Sequence, residues 1–261
     1  MEVIIRENEE VACGMVARII AKAVRKKPDL VLGLATGRTM EKVYAELARM
    51  HRDEALDFSA CRTFNLDEYI GLEQDDVNSY HHYMDEHLFR HINIKPGNTH
   101  LPDGTADDLK AEARGYEEKM CACGGIDLQL LGIGQSGHIG FNEPLSSLMS
   151  RMRDKVLAPE TIAQNGPLFK TGAMPKRAMT MGVGTILESR RALVLVTGEG
   201  KADILAESVE GAVTSRVTAS ALQLHPHCVV VVDEAAASKL QDQEYFKWIY
   251  ENEPEWDEFR I

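Results

Sequence analysis

Residues Ile126 to Pro144 read IDLQLLGIGQSGHIGFNEP: an apolar run, four glycines around one histidine, and an Asn-Glu pair closed by a proline. An apolar run of strand length that gives way to a glycine-rich loop places flexible backbone at the carboxyl edge of a sheet. It also places a titratable ring, His138, and a carboxylate, Glu143, at that edge. Open α/β folds bind their ligands there. Gly132-Ile133-Gly134-Gln135-Ser136-Gly137 is formally the G-x-G-x-x-G of dinucleotide sites. That pattern needs its last glycine to open a helix, and Gly140 and Pro144 are wrong for a first helical turn. The motif is also mid-chain, so the dinucleotide reading fails. A histidine flanked by glycines is exposed by construction, and with Glu143 to orient it the ring suits proton transfer.

Outward from this loop the pattern alternates. Apolar runs of strand length occur at Val3–Ile5, Leu30–Leu34, Cys61–Asn65, Ile126–Ile133, Ala192–Thr197 and Cys228–Val232. Between them, apolar spacing near ~3.6 marks helices at Glu9–Lys26, Met40–Met50, Ser79–Phe89, Ala106–Met120 and Gly200–Val209. The fold class is therefore α/β: a doubly wound, mostly parallel, modified Rossmann-like sheet with helices on both faces. No linker or repeat divides the chain, so residues 1–261 read as a single domain. The polar, Gly/Pro-interrupted stretch Arg151–Lys176 is expected to be an irregular lid insert.

Composition narrows the partners. The 261 residues carry a formal charge of −12, which excludes nucleic acid, because phosphate backbones need clustered Lys and Arg. An anionic substrate would have to meet positive charge that is local and aimed. The start of the chain has no signal-peptide pattern and no apolar run reaches ~18 residues, so no membrane association is expected. Five scattered cysteines read as reduced thiols of a cytoplasmic protein. Cys121 and Cys123 are too close for an ordinary zinc knuckle. His81, His82, His87 and His91 crowd one helix, but no H-E-x-x-H is present, and they read as surface residues.

Three other strand ends carry chemistry. Thr36-Gly37-Arg38-Thr39 precedes a helix, so its free N–H groups form a phosphate seat, unless Thr36 or Thr39 merely caps that helix. Asp67 and Glu68 end another strand; neighbours on an extended chain point apart, so one can enter the cleft as a base while the other is structural. Lys201 follows Thr197-Gly198-Glu199-Gly200 at a helix start, where a lysine opposes the helix dipole unless an anion is bound.

These segments, in this order, resemble the glucosamine-6-phosphate deaminase (isomerase) family. The matching stretches are LGLATGRTM, FNLDEYIGL, GIGQSGHIGFNEPLSSLMSR, PKRAMTMGVGTIL, TGEGKA, VEGAV and ALQLHP. The resemblance implies an enzyme that converts glucosamine 6-phosphate to fructose 6-phosphate and ammonia by ring opening and an enediol, with no metal or organic cofactor. It implies that Asp67 moves a proton from C2 to C1, that His138 moves the ring-opening proton with Glu143 orienting it, and that Gly37 to Thr39 and Lys201 hold the phosphate. Two departures stand out. Ser136 occupies the position of an acid, and Pro167 that of a lid arginine, whose charge Arg38 is expected to replace. Galactosamine 6-phosphate as substrate, a 6-phosphogluconolactonase-like hydrolase and a non-catalytic sugar-phosphate sensor are the alternatives. Ser146, Ser147, Arg153, Lys155 and Tyr245 match the residues by which oligomeric members bind N-acetylglucosamine 6-phosphate between subunits, which implies a homo-oligomer with that effector.

Overall fold

A parallel sheet of seven strands forms the centre of the computed structural model, which describes residues 1–260. The chain runs through β1 (Glu2–Arg6), α1 (Glu9–Lys26), β2 (Val31–Leu34), α2 (Arg38–Glu54) and β3 (Arg62–Asn65). It continues with β4 (Asp67–Tyr69), α3 (Tyr80–His87), β5 (Thr99–His100), α4 (Leu109–Ala122) and β6 (Leu128–Leu131). Next come β7 (Arg153–Val156), α5 (Pro159–Asn165), β8 (Arg177–Thr180), α6 (Val183–Leu187) and β9 (Ala192–Val196). The last elements are α7 (Ala202–Val209), β10 (Cys228–Asp233), α8 (Glu234–Ala237) and α9 (Gln243–Asn252).

The central order is β1-β10-β9-β6-β2-β3-β5, with every pairing parallel. Every residue of β2, β6, β9 and β10 is buried. Successive side chains of a strand face opposite ways, so strands buried throughout must be covered on both faces. α1 shows how a cover forms. Asn8 caps it by accepting from Val11 N–H at 3.0 Å, and its buried stripe, including Ala12, Val16, Ile19 and Ile20, packs against α2 and β10. From β2 the chain winds outward to β3 and β5, then crosses to β6 on the other side of β2 and winds out through β9 and β10. The winding reverses between β2 and β6, and a crevice opens above their carboxyl ends.

A second sheet stands beside that crevice, with antiparallel order β4-β8-β7. Leu66 joins the two sheets: its N–H donates to Leu34 O at 3.1 Å in the central sheet, and its carbonyl accepts from Met181 N–H at 2.7 Å. The next residue is Asp67. A small apolar cluster of Tyr69, Phe141, Leu157 and Ala178, with Tyr80, Ile162 and Phe169 packed on it, backs this sheet.

Several elements differ from the sequence expectation. The stretch 151–176 is not wholly irregular: it holds β7 and α5, and β7 pairs with β8 from Arg153↔Thr180 to Val156↔Arg177. The run Ile126–Ile133 yields a strand only at Leu128–Leu131, because Asp127 turns its carboxylate back onto Val31 N–H and Lys27. The helix over Ser79–Phe89 stops at His87 and tightens into a 3₁₀ turn at Phe89–His91; Glu199–Lys201 likewise form a 3₁₀ turn before α7. The short strands β4, β5, β7 and β8 and the helix α9 were not anticipated. No helix among the described residues is long and apolar enough to cross a membrane.

Asp233 ties the end of β10 to the turn that carries Lys201. Both its oxygens accept from Gly198 N–H at 3.0 Å, and Oδ1 caps α8 through Ala236 N–H at 2.8 Å. Asp233→Ala is expected to lower the unfolding free energy by about 1–3 kcal/mol, through the lost cap and an orphaned N–H. Denaturant titration measures it; a loss under about 0.5 kcal/mol would mean that water replaces the carboxylate.

Candidate active site

The crevice is a cleft of about 610 Å³ lined by the loop after β2, the loop after β6, Asp67, α3 and the turn before α7. After β2 the chain reaches α2 through Gly37, the N-cap, at φ 125° and ψ 159°. That conformation is open essentially to glycine alone. No side chain caps α2, so neither Thr36 nor Thr39 takes the cap role weighed from the sequence. The first N–H groups of a 17-residue helix therefore face the cleft with its partial positive charge. Arg38 stands exposed in its first turn and has no carboxylate partner among the described residues. Lys201 also lacks one: its ammonium donates to Ile133 O at 2.9 Å, and burial lowers its pKa. In a chain of net charge −12, two cations that line one cleft and have no carboxylate partner among the described residues make an anion seat.

Asp67 lines the cleft and is 6% exposed. Among the described residues its carboxyl takes no hydrogen bond, and burial, helped by the neighbouring Glu68, pushes it up to about 8. Glu68 turns the other way, into backbone N–H groups at the start of α3. The division of labour expected from strand alternation is present, with Asp67 as the acid in the cleft.

His138 reaches the cleft because Gly134 leaves room for it. A β-carbon on residue 134 would lie 2.1 Å from His138 Nε2 and 2.3 Å from Cε1, so the imidazole rests directly on the glycine backbone. Its Nδ1 lies 2.8 Å from Ser136 Oγ and 3.4 Å from Glu143 Oε2. Glu143 Oε1 accepts from Ala158 N–H at 3.0 Å and Thr161 O–H at 2.6 Å. Burial pushes the Glu143 carboxyl up, but its contact with His138 and the bonds from Thr161 and Ala158 outweigh that and hold it below the usual range. Ser136 and Glu143 lie behind the ring and do not line the cleft, so they can act only through His138.

The stretch 151–176 contributes Gln164, Asn165, Leu168, Phe169 and Lys170 to the lining. Phe169 meets Tyr69 edge-on at 5.3 Å, and Tyr69 also contacts Tyr80 and Phe141. Asn165 donates to Tyr69 OH at 3.3 Å, and Asn78 accepts from Lys170 N–H at 2.7 Å. This aromatic wall and Lys170 were missed in the sequence reading. Their positions span residues 69 to 170, and only Lys170, three residues after Pro167, carried a local signal. Pro167 sits in a 3₁₀ turn and brings no charge.

The five residues matched to an effector site come from three parts of the chain: the loop after β6, β7 and α9. Arg153 and Lys155 stand two apart on β7; Arg153 is half-buried, with no carboxylate partner among the described residues. Ser146 is buried and its hydroxyl makes no hydrogen bond, while Ser147 is exposed and accepts from Met149 N–H. Tyr245 is 60% exposed on α9, which packs against β1, and no hydrogen bond or ring contact links it to the other four among the described residues. The histidines of α3 hold no metal cluster: no three His, Cys, Asp or Glu side chains among the described residues are placed to bind one.

The arrangement can hold an anion at the β2 and β9 ends and move protons at the β3 and β6 ends. Comparison with known proteins identifies what the chain is similar to. The family model of glucosamine-6-phosphate isomerases/6-phosphogluconolactonase matches residues 6–232. A glucosamine-6-phosphate deaminase of Shewanella halifaxensis (strain HAW-EB4) is 48% identical over 250 residues, 95% of each chain. One of Arthrobacter sp. (strain FB24) is 46% identical over 257 residues, 98% of this chain and 99% of its own. A solved monomeric glucosamine-6-phosphate deaminase superposes with a TM-score of 0.89 at 46% identity, covering 92% of this chain and all of its own. The 6-phosphogluconolactonase of Trypanosoma brucei shares the fold, with a TM-score of 0.72 at 20% identity over 92% of this chain and 98% of its own.

The isolated Asp67 has a thermodynamic signature. Its carboxyl is raised in the folded protein, so folding takes up a proton; the associated stability is complete below the ordinary carboxylate range near ~4 and is lost as pH rises through about 8. Asp67→Asn is therefore expected to melt higher than the parent at about pH 9 and to differ little at about pH 4. Thermal melts across that range check it; parallel curves would show that Asp67 ionises normally.

Proposed function

The chain belongs to the glucosamine-6-phosphate isomerase/6-phosphogluconolactonase family, and from that premise we propose how its cleft works on an amino-sugar phosphate. The reaction is a deaminating aldose–ketose isomerisation: glucosamine 6-phosphate and water give fructose 6-phosphate and ammonia. The deaminases compared above are 46% to 48% identical to this chain, whereas the Trypanosoma brucei lactonase is 20% identical and its likeness supports the fold alone.

The phosphate is held by the N-terminus of α2, by Arg38 and by Lys201, with Lys170 as a further cation on the rim. Anchoring the charged end fixes the reacting carbons relative to the base. His138 takes the proton of the anomeric hydroxyl and delivers one to the ring oxygen, which opens the sugar. Asp67 then abstracts the proton on C2, and the electron pair left behind forms the enediol-type double bond between C1 and C2 as the C1 carbonyl π pair moves onto O1, which takes up the proton that the C2 ammonium gives up. Asp67 returns the proton to C1. The C2 imine that results is hydrolysed by water, which frees ammonia and leaves the ketone.

The observation that carries this reading is the buried Asp67 carboxyl with no protein hydrogen bond in the cleft. A structural acid at that depth would be paired. An ammonium at C2 of the entering sugar supplies the missing opposite charge and draws Asp67 toward its basic form. Ser136 and Glu143 hold the imidazole from behind, so they are positioning residues rather than proton carriers, and the serine hydroxyl supports the ring where an acid was expected.

The stretch 151–176 acts as a lid in this scheme. Its support is the Glu143 bridge to Ala158 and Thr161 and the seating of Phe169 on Tyr69. An effector site for N-acetylglucosamine 6-phosphate in a homo-oligomer draws its support from the Ser146 hydroxyl, unpartnered among the described residues, and from the Arg153 guanidinium, which donates to Arg151 O at 3.1 Å and meets no carboxylate among them.

Ammonia release from glucosamine 6-phosphate is expected to exceed that from galactosamine 6-phosphate, and Asp67→Asn is expected to lose about 10²–10⁴ in kcat. Equal or greater release from the galacto epimer would reassign the substrate, and no release from either would leave a binding protein. Arg38→Ala is expected to raise KM by about tenfold, the worth of one charge-assisted contact, with kcat nearly kept. An unchanged KM removes Arg38 from the phosphate seat.

A further inference from the structure

Glu68 follows the base on β4, is 1% exposed, and has no part in the chemistry above. Its Oε1 accepts from Tyr69 N–H at 2.8 Å and Tyr80 N–H at 3.0 Å. Its Oε2 accepts from His81 N–H at 3.0 Å and lies 3.0 Å from His81 Nδ1. Tyr80 and His81 are the first two residues of α3, and Ser79 Oγ takes the next free N–H, that of His82, at 3.0 Å. Glu68 thus closes the positive end of a helix that lines the cleft with Tyr80, His82 and Tyr83. Neighbours on a strand point to opposite sides, so an acid pulled into α3 at residue 68 keeps residue 67 turned into the cleft.

We propose that Glu68 is a positioning residue of the proton-transfer step: anchored across the start of α3, its carboxylate orients Asp67 and sets how tightly Asp67 holds the proton it takes from the sugar. The inference rests on Asp67 being the base. The titratable groups facing Asp67 are Tyr69 on its own strand, Tyr80 on α3 and Tyr116 on α4, with His138 and Lys201 lining the same cleft; His81 faces Glu68. Burial pushes all three tyrosine hydroxyls upward, so they stay neutral where the enzyme works. Glu68 is the fixed negative charge that acts together with burial to raise Asp67. A base that holds its proton more tightly abstracts better but is ionised over a narrower range of pH. Removing the Glu68 charge must therefore extend activity to lower pH while it lowers the plateau rate, which loss of packing alone would not do.

In Glu68→Gln the acid limb of kcat/KM is expected to move down by about one pH unit, while plateau kcat falls about threefold to tenfold. KM for the sugar phosphate should change by less than about twofold, because the phosphate seat is untouched. A carboxyl ¹³C titration of Asp67 in the ligand-free protein is expected to show the same downward shift without turnover. Superimposable limbs and titration curves in parent and Glu68→Gln overturn the proposal, as does a loss confined to KM. If Glu68→Gln does not fold, Glu68→Asp keeps the charge on a shorter arm. It should leave the Asp67 midpoint in place while kcat drops; a midpoint lowered by about one unit would overturn the proposal. Failure of the base assignment is seen separately, as turnover retained by Asp67→Asn, and the ¹³C titration still reports what Glu68 does to Asp67.

Discussion

The two hydrogen bonds of Leu66 determine where the chemistry sits. Its N–H belongs to the central sheet and its carbonyl to the second sheet, so the chain changes sheets across one residue. Asp67 is delivered at that step, at the carboxyl end of β3, while the loop after β6 delivers His138 on the other side of β2. A three-stranded sheet with strands of three or four residues is marginal alone. It persists because the central sheet holds one end of it and the aromatic cluster around Tyr69 holds its face. The base is therefore mounted on the less self-sufficient half of the molecule and borrows its rigidity from the other.

The charge layout follows the same economy. Among the described residues of an acidic chain Arg38 and Lys201 have no carboxylate partners, which leaves them available to an anion. Asp67 forgoes hydrogen-bond donors, a costly state for an ionised group and a modest one for a group that keeps its proton. Glu68 and Glu143, equally deep, are bonded to N–H and O–H donors. Glu143 keeps only Oε2 free of hydrogen bonds, 3.4 Å from the imidazole, and of the three buried acids Asp67 alone lacks any hydrogen bond among the described residues and faces the cleft.

Much of this was legible in the sequence. The alternation of apolar runs with helical spacing reports the central sheet, because strands buried on both faces leave continuous Val, Ile and Leu. Strand alternation also separates Asp67 from Glu68 without coordinates. The second sheet left no such trace. Its strands β4 and β7, DEY and RDKV, are polar, and its burial comes from Phe141, Phe169 and Tyr80, scattered far along the chain. The lid looked unstructured for that reason. Ser136 was read as a lost charge, yet its hydroxyl reaches the imidazole nitrogen; only the fold of the loop between Gly134 and Gly140 reveals that proximity.

The imidazole resting on Gly134 also makes two neighbouring positions of this loop unequal. At residue 134 even one methyl group would occupy the space of the ring and force it to move. Residue 136 faces only the back of that ring, where any small group able to meet Nδ1 will serve. A change behind the histidine thus alters the support of the proton carrier, whereas a change beneath it moves the carrier itself.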